Sequence, residues 1–333
     1  MKIAINGFGR IGRRTLKFLL QNPMINLVAI NDLADTKTLA HLLKYDSIHG
    51  RFNGLIDSDE KHIYINGQKI KMYSEPDPTT LPWHTLGIDI VLESSGRFTN
   101  KESAMIHIKA GAKKVIVSAP ATGDIKTIVL GVNDSGITSD DIILSNASCT
   151  TNCLAPMVKL LDENFGIHHG FMTTVHAYTA DQNLQDAPHK DLRRARAAAL
   201  NIIPTSTGAA KAVQLVLPHL NGKLSGSSMR VPVPNGSITD FTCIVKQNVS
   251  VDEINAVFKL AAEGYLKGIL EYNTDPIVSL DIVGNTHSCV FDSELTQVIG
   301  HSMVKVVGWY DNETGYSARL SDLIERVGAP FNL

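Results

Sequence analysis

Along the first thirty residues the apolar positions cluster in short blocks rather than spreading evenly. Ile3, Ala4 and Ile5 form a strand-sized run, Gly7 to Gly12 interrupt it, Arg13 to Leu20 carry helix-forming residues up to Asn22-Pro23, and Leu27 to Ile30 form a second run. This pattern predicts a βαβ unit with parallel strands. Ile63 to Ile65 and Ile70 to Met72 flank Asn66-Gly67, the turn dipeptide of a hairpin. Ile88 to Leu92, Lys114 to Ser118, Ile128 to Gly131 and Ile142 to Ser145 read as further strands, with a helix over Ala104 to Ala110. The alternation predicts an α/β fold: a doubly wound, Rossmann-type dinucleotide-binding domain.

The texture changes at Ser148, which reads as the N-cap of a helix running through Leu154 to Leu161. Phe171 to Tyr178 reads as a strand, and Thr179 to Arg196 as a polar loop long enough to imply a task. Helices over Gly208 to Leu217 and Val251 to Glu263 mix with strands at Ile238 to Val245, Ser279 to Val283 and Val304 to Tyr310, and a helix over Thr314 to Val327 closes the chain. The expected division is 1–148 for the dinucleotide-binding domain, 149–312 for an α+β domain with a mixed or antiparallel sheet, and 313–333 for a closing C-terminal helix.

Composition narrows the chemistry. The chain has 333 residues, 44% of them hydrophobic and 19% charged, with a net charge of −2, so no basic footprint marks nucleic acid as the primary partner. No apolar run approaches the roughly 20 residues of a membrane span. The first strand follows Met1 at once, without a leader pattern, and four cysteines in 333 residues show no secreted framework. The expected location is the cytoplasm. Without CxxC or HExxH, no metal site is expected.

Two constellations carry chemistry. Gly7, Gly9 and Gly12 form GxGxxG between a strand and a helix, where a pyrophosphate approaches unpaired backbone N–H groups. Twenty residues past Gly12, Asp32 is placed to bind the adenosine ribose, and its carboxylate favours NAD over NADP. The second is Ser148-Cys149-Thr150-Thr151-Asn152-Cys153. A cysteine just inside a helix N-terminus feels the helix dipole, which lowers its pKa and makes Cys149 a candidate nucleophile. Cys153, one turn on, reads as packing, with a disulfide to Cys149 under oxidation as the alternative, and Cys243 and Cys289 read as packing in their apolar strands.

The strings INGFGRIGR (Ile5 to Arg13), SNASCTTNCLAP (Ser145 to Pro156), TTVHAYTADQ (Thr173 to Gln182), NIIPTSTGAAKAV (Asn201 to Val213), MRVPVPN (Met229 to Asn235) and WYDNETGYS (Trp309 to Ser317) resemble the phosphorylating glyceraldehyde-3-phosphate dehydrogenases from end to end. The resemblance implies Cys149 as nucleophile with His176 as its partner. It implies Arg10, Ile11, Asp32, Ser118, Asn312 and Tyr316 at the NAD site. Ser148, Thr150, Thr207, Gly208 and Arg194 would bind inorganic phosphate, and Thr179 and Arg230 the substrate phosphate. A homotetramer acting on D-glyceraldehyde 3-phosphate, NAD and phosphate is implied, with 1,3-bisphosphoglycerate as product.

The chemistry agrees: a thiolate adds to an aldehyde, leaves a thioester that phosphate can attack, and needs a histidine to move protons. Pro76, Ser95, Gly236 and Thr314 depart from the family pattern without removing a catalytic group. The sister erythrose-4-phosphate dehydrogenases rank second, because Thr179, Pro188 and STGAAKA fit the first family better. A role in binding RNA or surface partners is the reading from another class.

Overall fold

The structure, a computed structural model, describes residues 1–329. Its chain divides into two compact units. The first comprises Met1–Ile128, Ser135–Ala147 and the C-terminal stretch from Ser317; the second comprises Val129–Asp134 and Ser148–Tyr316. The division departs from the one expected in sequence, since Val129–Asp134 joins the second unit, the change of unit near Cys149 falls before Ser148, and residues 313–316 stay with the second unit. The last four residues of the expected C-terminal segment, 330–333, lie outside the described residues.

The first unit is built on a nine-stranded sheet. From edge to edge its strands are Lys126–Thr127, Ile143–Ser145, Lys114–Val117, Ile90–Glu93, Lys2–Asn6, Asn26–Asn31, Gln68–Tyr73, His62–Ile65 and Ile56–Ser58. The first seven are parallel; His62–Ile65 turns back antiparallel through the Asn66-Gly67 hairpin, and Ile56–Ser58 pairs antiparallel with it. Ile3, Ile5, Ile90, Leu92, Val115 and Ile116 are fully buried, which explains why these strands read as continuous apolar runs. Each such side chain contributes about 1.5–3 kcal/mol of hydrophobic stabilisation. Ile128 to Gly131, expected as a strand, is not one: pairing ends at Thr127 and a turn follows.

The second unit carries an eight-stranded mixed sheet. Its main order is Ile203–Thr205, Leu224–Val231, Ile167–Ala177, Ser237–Val245, Met303–Tyr310, Cys289–Asp292 and Leu270–Asn273, with Gln297–Ile299 beside Met303–Tyr310. The helix Cys149–Phe165 packs against this sheet and is buried along most of its length despite Pro156 inside it. The expected strand Ser279 to Val283 is a series of turns, in which Leu280 is exposed while Ile282 is buried. The apolar residues there anchor turns rather than one face of a paired strand. The helices Ala209–Val216 and Val251–Glu263 form where the periodicity placed them, the second closed by a capping box between Ser250 and Glu253.

Candidate active site

The glycine turn of the first unit follows from packing. Gly7 has φ +91°, and a Cβ there would lie 2.4 Å from the Ser95 nitrogen; a Cβ on Gly12 would lie 2.4 Å from the Gly7 oxygen. A side chain at either position is excluded. Gly9 differs, because nothing lies within 4 Å of where its Cβ would be. That open space borders the start of the helix Arg10–Leu19, whose cap Gly9 has no side chain to cap it. The three glycines therefore separate into two that let backbones touch and one that leaves an approach to a helix N-terminus.

Asp32 stands at the end of the second strand. Its Oδ2 accepts from the Phe8 amide at 2.7 Å and its Oδ1 from the Ala34 amide at 3.0 Å. This fixes the carboxylate against the glycine turn while each oxygen retains a lone pair for a ribose hydroxyl. A cavity of about 260 Å³ is lined by Gly7, Gly9, Asn31, Asp32, Pro76 and Phe98. The open cradle at Gly9 and the held carboxylate fit a dinucleotide. Arg10 points its guanidinium at Asp46, 3.0 Å away, so its expected part at an anion falls to its backbone. Ile11 lies in the first helical turn, and Ser118 follows the strand Lys114–Val117, its amide bonded to the Glu93 carbonyl at 2.9 Å.

In the second unit Cys149 is the first residue of its helix. Ser148 caps that helix, accepting from the Thr151 amide at 3.1 Å, and Ala147 immediately before it has φ +54°. Cys149 Sγ lies 3.4 Å from His176 Nε2. His176 is buried in the strand Ile167–Ala177, in parallel register with Arg230. Arg230 Nη1 lies 2.9 Å from His176 Nδ1 and donates to the Ala177 carbonyl and the Thr179 hydroxyl, each at 2.9 Å.

Electrostatics qualify the expectation of a low thiol pKa. Burial pushes the Cys149 thiol up to about 11, against Arg230 and the Thr150 amide and hydroxyl, which pull it down. Burial, joined by the Arg230 charge, pushes His176 down to about 3. Both directions favour the neutral thiol and imidazole, so the helix N-terminus alone does not make a thiolate here.

The expected phosphate residues are distributed unevenly. Thr179 and Arg230 meet, and the Thr179 hydroxyl donates to Asp181. Arg194 pairs with Asp181 at 2.5 Å and donates to the Thr205 hydroxyl at 2.9 Å. Asp181 is held below the usual carboxylate range by Thr179, Arg230 and Arg194, although burial opposes them. Arg194 thus joins the Thr179 and Arg230 cluster through Asp181, whereas the sequence reading grouped it with Ser148 and Thr150. The Thr150 hydroxyl is shared with Tyr310 Oη at 2.8 Å, which also lies 2.8 Å from Thr174 Oγ1. Thr207 Oγ1 accepts from the Ala209 amide at 3.2 Å, beside Gly208, the cap of the next helix.

Asn312 Oδ1 accepts from Ser237 Oγ at 3.0 Å, and Tyr316 is buried; both belong to the second unit. Sequence reasoning missed Asp181, Thr174 and Tyr310. Tyr310 sits in a quoted string without a role, and its ring stands edge-on to His176 at 5.9 Å between centroids. Among the described residues, no three His, Cys, Asp or Glu side chains are grouped to hold a metal ion.

Two family models match the chain. The NAD-binding domain of glyceraldehyde 3-phosphate dehydrogenase matches residues 1–101, and the C-terminal domain of the same enzyme matches residues 148–312. Curated relatives agree over nearly the whole chain. Glyceraldehyde-3-phosphate dehydrogenase 2 of Streptomyces avermitilis is 58% identical over 98% of each chain. The glyceraldehyde-3-phosphate dehydrogenase of Geobacillus stearothermophilus is 57% identical over 99% of this chain and 98% of its own, and that of Mycobacterium avium 58% identical over 98% of each. A cysteine capped into a helix start, a histidine at 3.4 Å and a glycine turn facing a fixed carboxylate are thus joined to two matched domains, and the chain belongs to the glyceraldehyde-3-phosphate dehydrogenase family.

Proposed function

We infer that the protein is an NAD-dependent oxidoreductase that converts D-glyceraldehyde 3-phosphate and inorganic phosphate reversibly to 1,3-bisphosphoglycerate, a step of glycolysis and gluconeogenesis. The observation that carries the reading is the 3.4 Å contact between Cys149 Sγ and His176 Nε2 at a helix start. His176 takes the thiol proton as sulfur adds to the aldehyde carbon, and returns it to the new alkoxide to give the hemithioacetal. NAD, when bound, supplies the hydride acceptor. As hydride leaves carbon, His176 takes the hydroxyl proton, and a thioester on Cys149 results. Phosphate oxygen attacks that thioester and sulfur departs, so the oxidation energy is retained in the acyl phosphate.

Gly7, Gly9, Gly12 and the backbone of Arg10 and Ile11 are assigned to the pyrophosphate, Asp32 to the ribose, and Ser118, Asn312 and Tyr316 to the nicotinamide end. Thr179, Arg230 and Arg194 are assigned to the substrate phosphate or its immediate support. Ser148, Thr150, Thr207 and Gly208 are assigned to inorganic phosphate. For Arg230 the support is its cluster with Thr179; for Ser148 and Gly208 it is their place at helix starts.

A homotetramer is proposed on the family resemblance and on the exposure of Leu184, Leu192, Leu200 and Ile202, which are 67–82% open in the single chain. Among the described residues no helix is long and apolar enough to cross a membrane, and a cytoplasmic location is proposed. The reading is tested by following absorbance at 340 nm with NAD or NADP, glyceraldehyde 3-phosphate or erythrose 4-phosphate, and with or without phosphate. Phosphate-dependent reduction of NAD with the three-carbon aldehyde is expected. Faster turnover of erythrose 4-phosphate would transfer the assignment to the sister enzyme.

A further inference from the structure

Glu93 is a carboxylate that the chemistry above does not use, and it is 1% exposed at the end of the strand Ile90–Glu93. Two chains of hydrogen bonds run toward it, and the direction of each is fixed by a group that can only donate. At one end the Trp83 indole N–H donates to His107 Nδ1 at 3.2 Å. His107 must then carry its hydrogen on Nε2, which lies 3.0 Å from Glu93 Oε2. At the other end the Glu75 amide donates to Asn31 Oδ1 at 2.8 Å, which orients that side-chain amide. Asn31 Nδ2 donates to Asn6 Oδ1 at 2.7 Å, and Asn6 Nδ2 donates to Glu93 Oε2 at 2.5 Å.

The other carboxylate oxygen is filled by one residue. Ser95 donates to Glu93 Oε1 through its amide at 2.8 Å and through its hydroxyl at 2.5 Å. Four donors therefore converge on Glu93, His107 being a neutral one, and no lysine or arginine is among them. Glu93, Asn6 and Asn31 are the last residues of three adjacent parallel strands and are partners in register. The line they form follows the carboxyl edge of the sheet, where open α/β sheets bind their ligands.

The anchor reaches the glycine turn by contact. The Ser95 nitrogen is the atom that a Cβ on Gly7 would strike at 2.4 Å, and Ser94 Oγ donates to the Gly7 carbonyl at 2.7 Å. Phe8, next in the turn, is the residue whose amide binds Asp32. We propose that Glu93 is a positioning residue for NAD: its carboxylate, fed by His107 and Asn6, fixes Ser95 under Gly7 and so sets the glycine turn and Asp32 at the spacing the dinucleotide needs. This rests on the placement of NAD at this edge given above.

The test is calorimetric titration of the full-length, cofactor-free enzyme with NAD, beside steady-state kinetics. In Glu93→Gln an amide NH₂ replaces one carboxylate oxygen and faces donors, either Ser95 or the Asn6 and His107 pair. The expected result is an NAD Kd and a KM for NAD raised about 10- to 100-fold, with kcat at saturating NAD, the KM for the aldehyde and the alkylation rate of Cys149 within about two-fold of the parent. Ser95→Ala, which removes one donor from a partly exposed turn and keeps the test decisive if Glu93→Gln does not fold, is expected to raise the Kd about 3- to 10-fold. An unchanged Kd in a folded Glu93→Gln enzyme, or in Ser95→Ala where only that variant folds, overturns the proposal. So does a loss confined to kcat. Asp32→Gly separates the two levels: if it also leaves NAD affinity unchanged, the placement of the cofactor fails and the proposal with it, whereas a weakened Asp32→Gly beside a normal Glu93→Gln refutes the role of Glu93 alone.

Discussion

Arg230 faces the opposite side of the His176 ring from Cys149: its Nη1 is 2.9 Å from Nδ1, while Cys149 Sγ is 3.4 Å from Nε2. The two hydrogens of Nη1 go to the Ala177 carbonyl and the Thr179 hydroxyl, and Nδ1 is 2.6 Å from that same carbonyl oxygen, which can only accept, so Nδ1 carries the hydrogen and the Nε2 lone pair faces Cys149. The Arg230 charge opposes a second proton on the ring and favours the thiolate. One side chain thus touches both His176 and the Thr179 hydroxyl.

Arg230→Ala is accordingly expected to have two effects. Loss of a charge-assisted hydrogen bond of about 1.5–3 kcal/mol lowers kcat/KM for the aldehyde phosphate roughly 10- to 150-fold, mainly through KM. Removal of the charge raises the His176 pKa, so the acidic limb of the kcat/KM profile shifts to higher pH. A profile that stays in place while KM rises would separate Arg230 from the base.

Acid stability reports on the same histidine. Its folded pKa, about 3 through burial and Arg230, lies below the ordinary value of 6.5, so between these values the unfolded chain binds a proton that the folded one refuses. The stability tied to neutral His176 is complete above about pH 6.5 and is lost as pH falls toward 3. His176→Gln should flatten the fall of Tm over this window. Parallel Tm curves for the two proteins would show that burial does not hold the imidazole neutral.

The two cysteines of the capped helix should separate cleanly. Cys149→Ser is expected to abolish aldehyde oxidation and leave NAD affinity intact, since a serine hydroxyl is far less acidic than a thiol. Cys153 is fully buried with its thiol 3.6 Å from the Gly308 carbonyl, and Cys153→Ser should retain most activity. Calorimetry and the assay at 340 nm measure both, and an inactive Cys153→Ser beside an active Cys149→Ser would exchange the roles.

Thr207→Ala probes the acyl-transfer half of the reaction. Stopped-flow mixing should show a normal first burst of NADH followed by a slow steady state that rises with phosphate concentration. Suppression of the burst itself would move Thr207 to the aldehyde phosphate.

The sequence disclosed the strands of the first unit because parallel strands covered on both faces leave unbroken apolar runs, as Ile90 to Leu92 does. It disclosed the place of Cys149 at a helix start, since Ser148 is a helix cap by its chemistry. It did not disclose Asp181 or Tyr310. Their roles arise from pairings such as His176 with Arg230 and Tyr310 with Ser237, made between strands far apart in the chain. The burial that pushes the Cys149 thiol up is hidden for a related reason, because a helix dipole is local while burial is the work of the whole unit. Gly236, a departure in sequence, abuts the Ser279 carbonyl, where a side chain has no room.

Synthesis order meets an obstacle in the division of the chain. The first unit begins at Met1 yet takes its last helix from beyond Ser317, with Leu320, Leu323 and Ile324 fully buried and Gly328 lying against Met1. A ribosome that has made all nine strands of the first sheet has still to deliver the residues that complete that core. Until the helix beyond Ser317 emerges, the cofactor-binding unit is an unfinished intermediate with an uncovered apolar surface, and Leu320, Leu323 and Ile324 govern when the strands made long before them can settle.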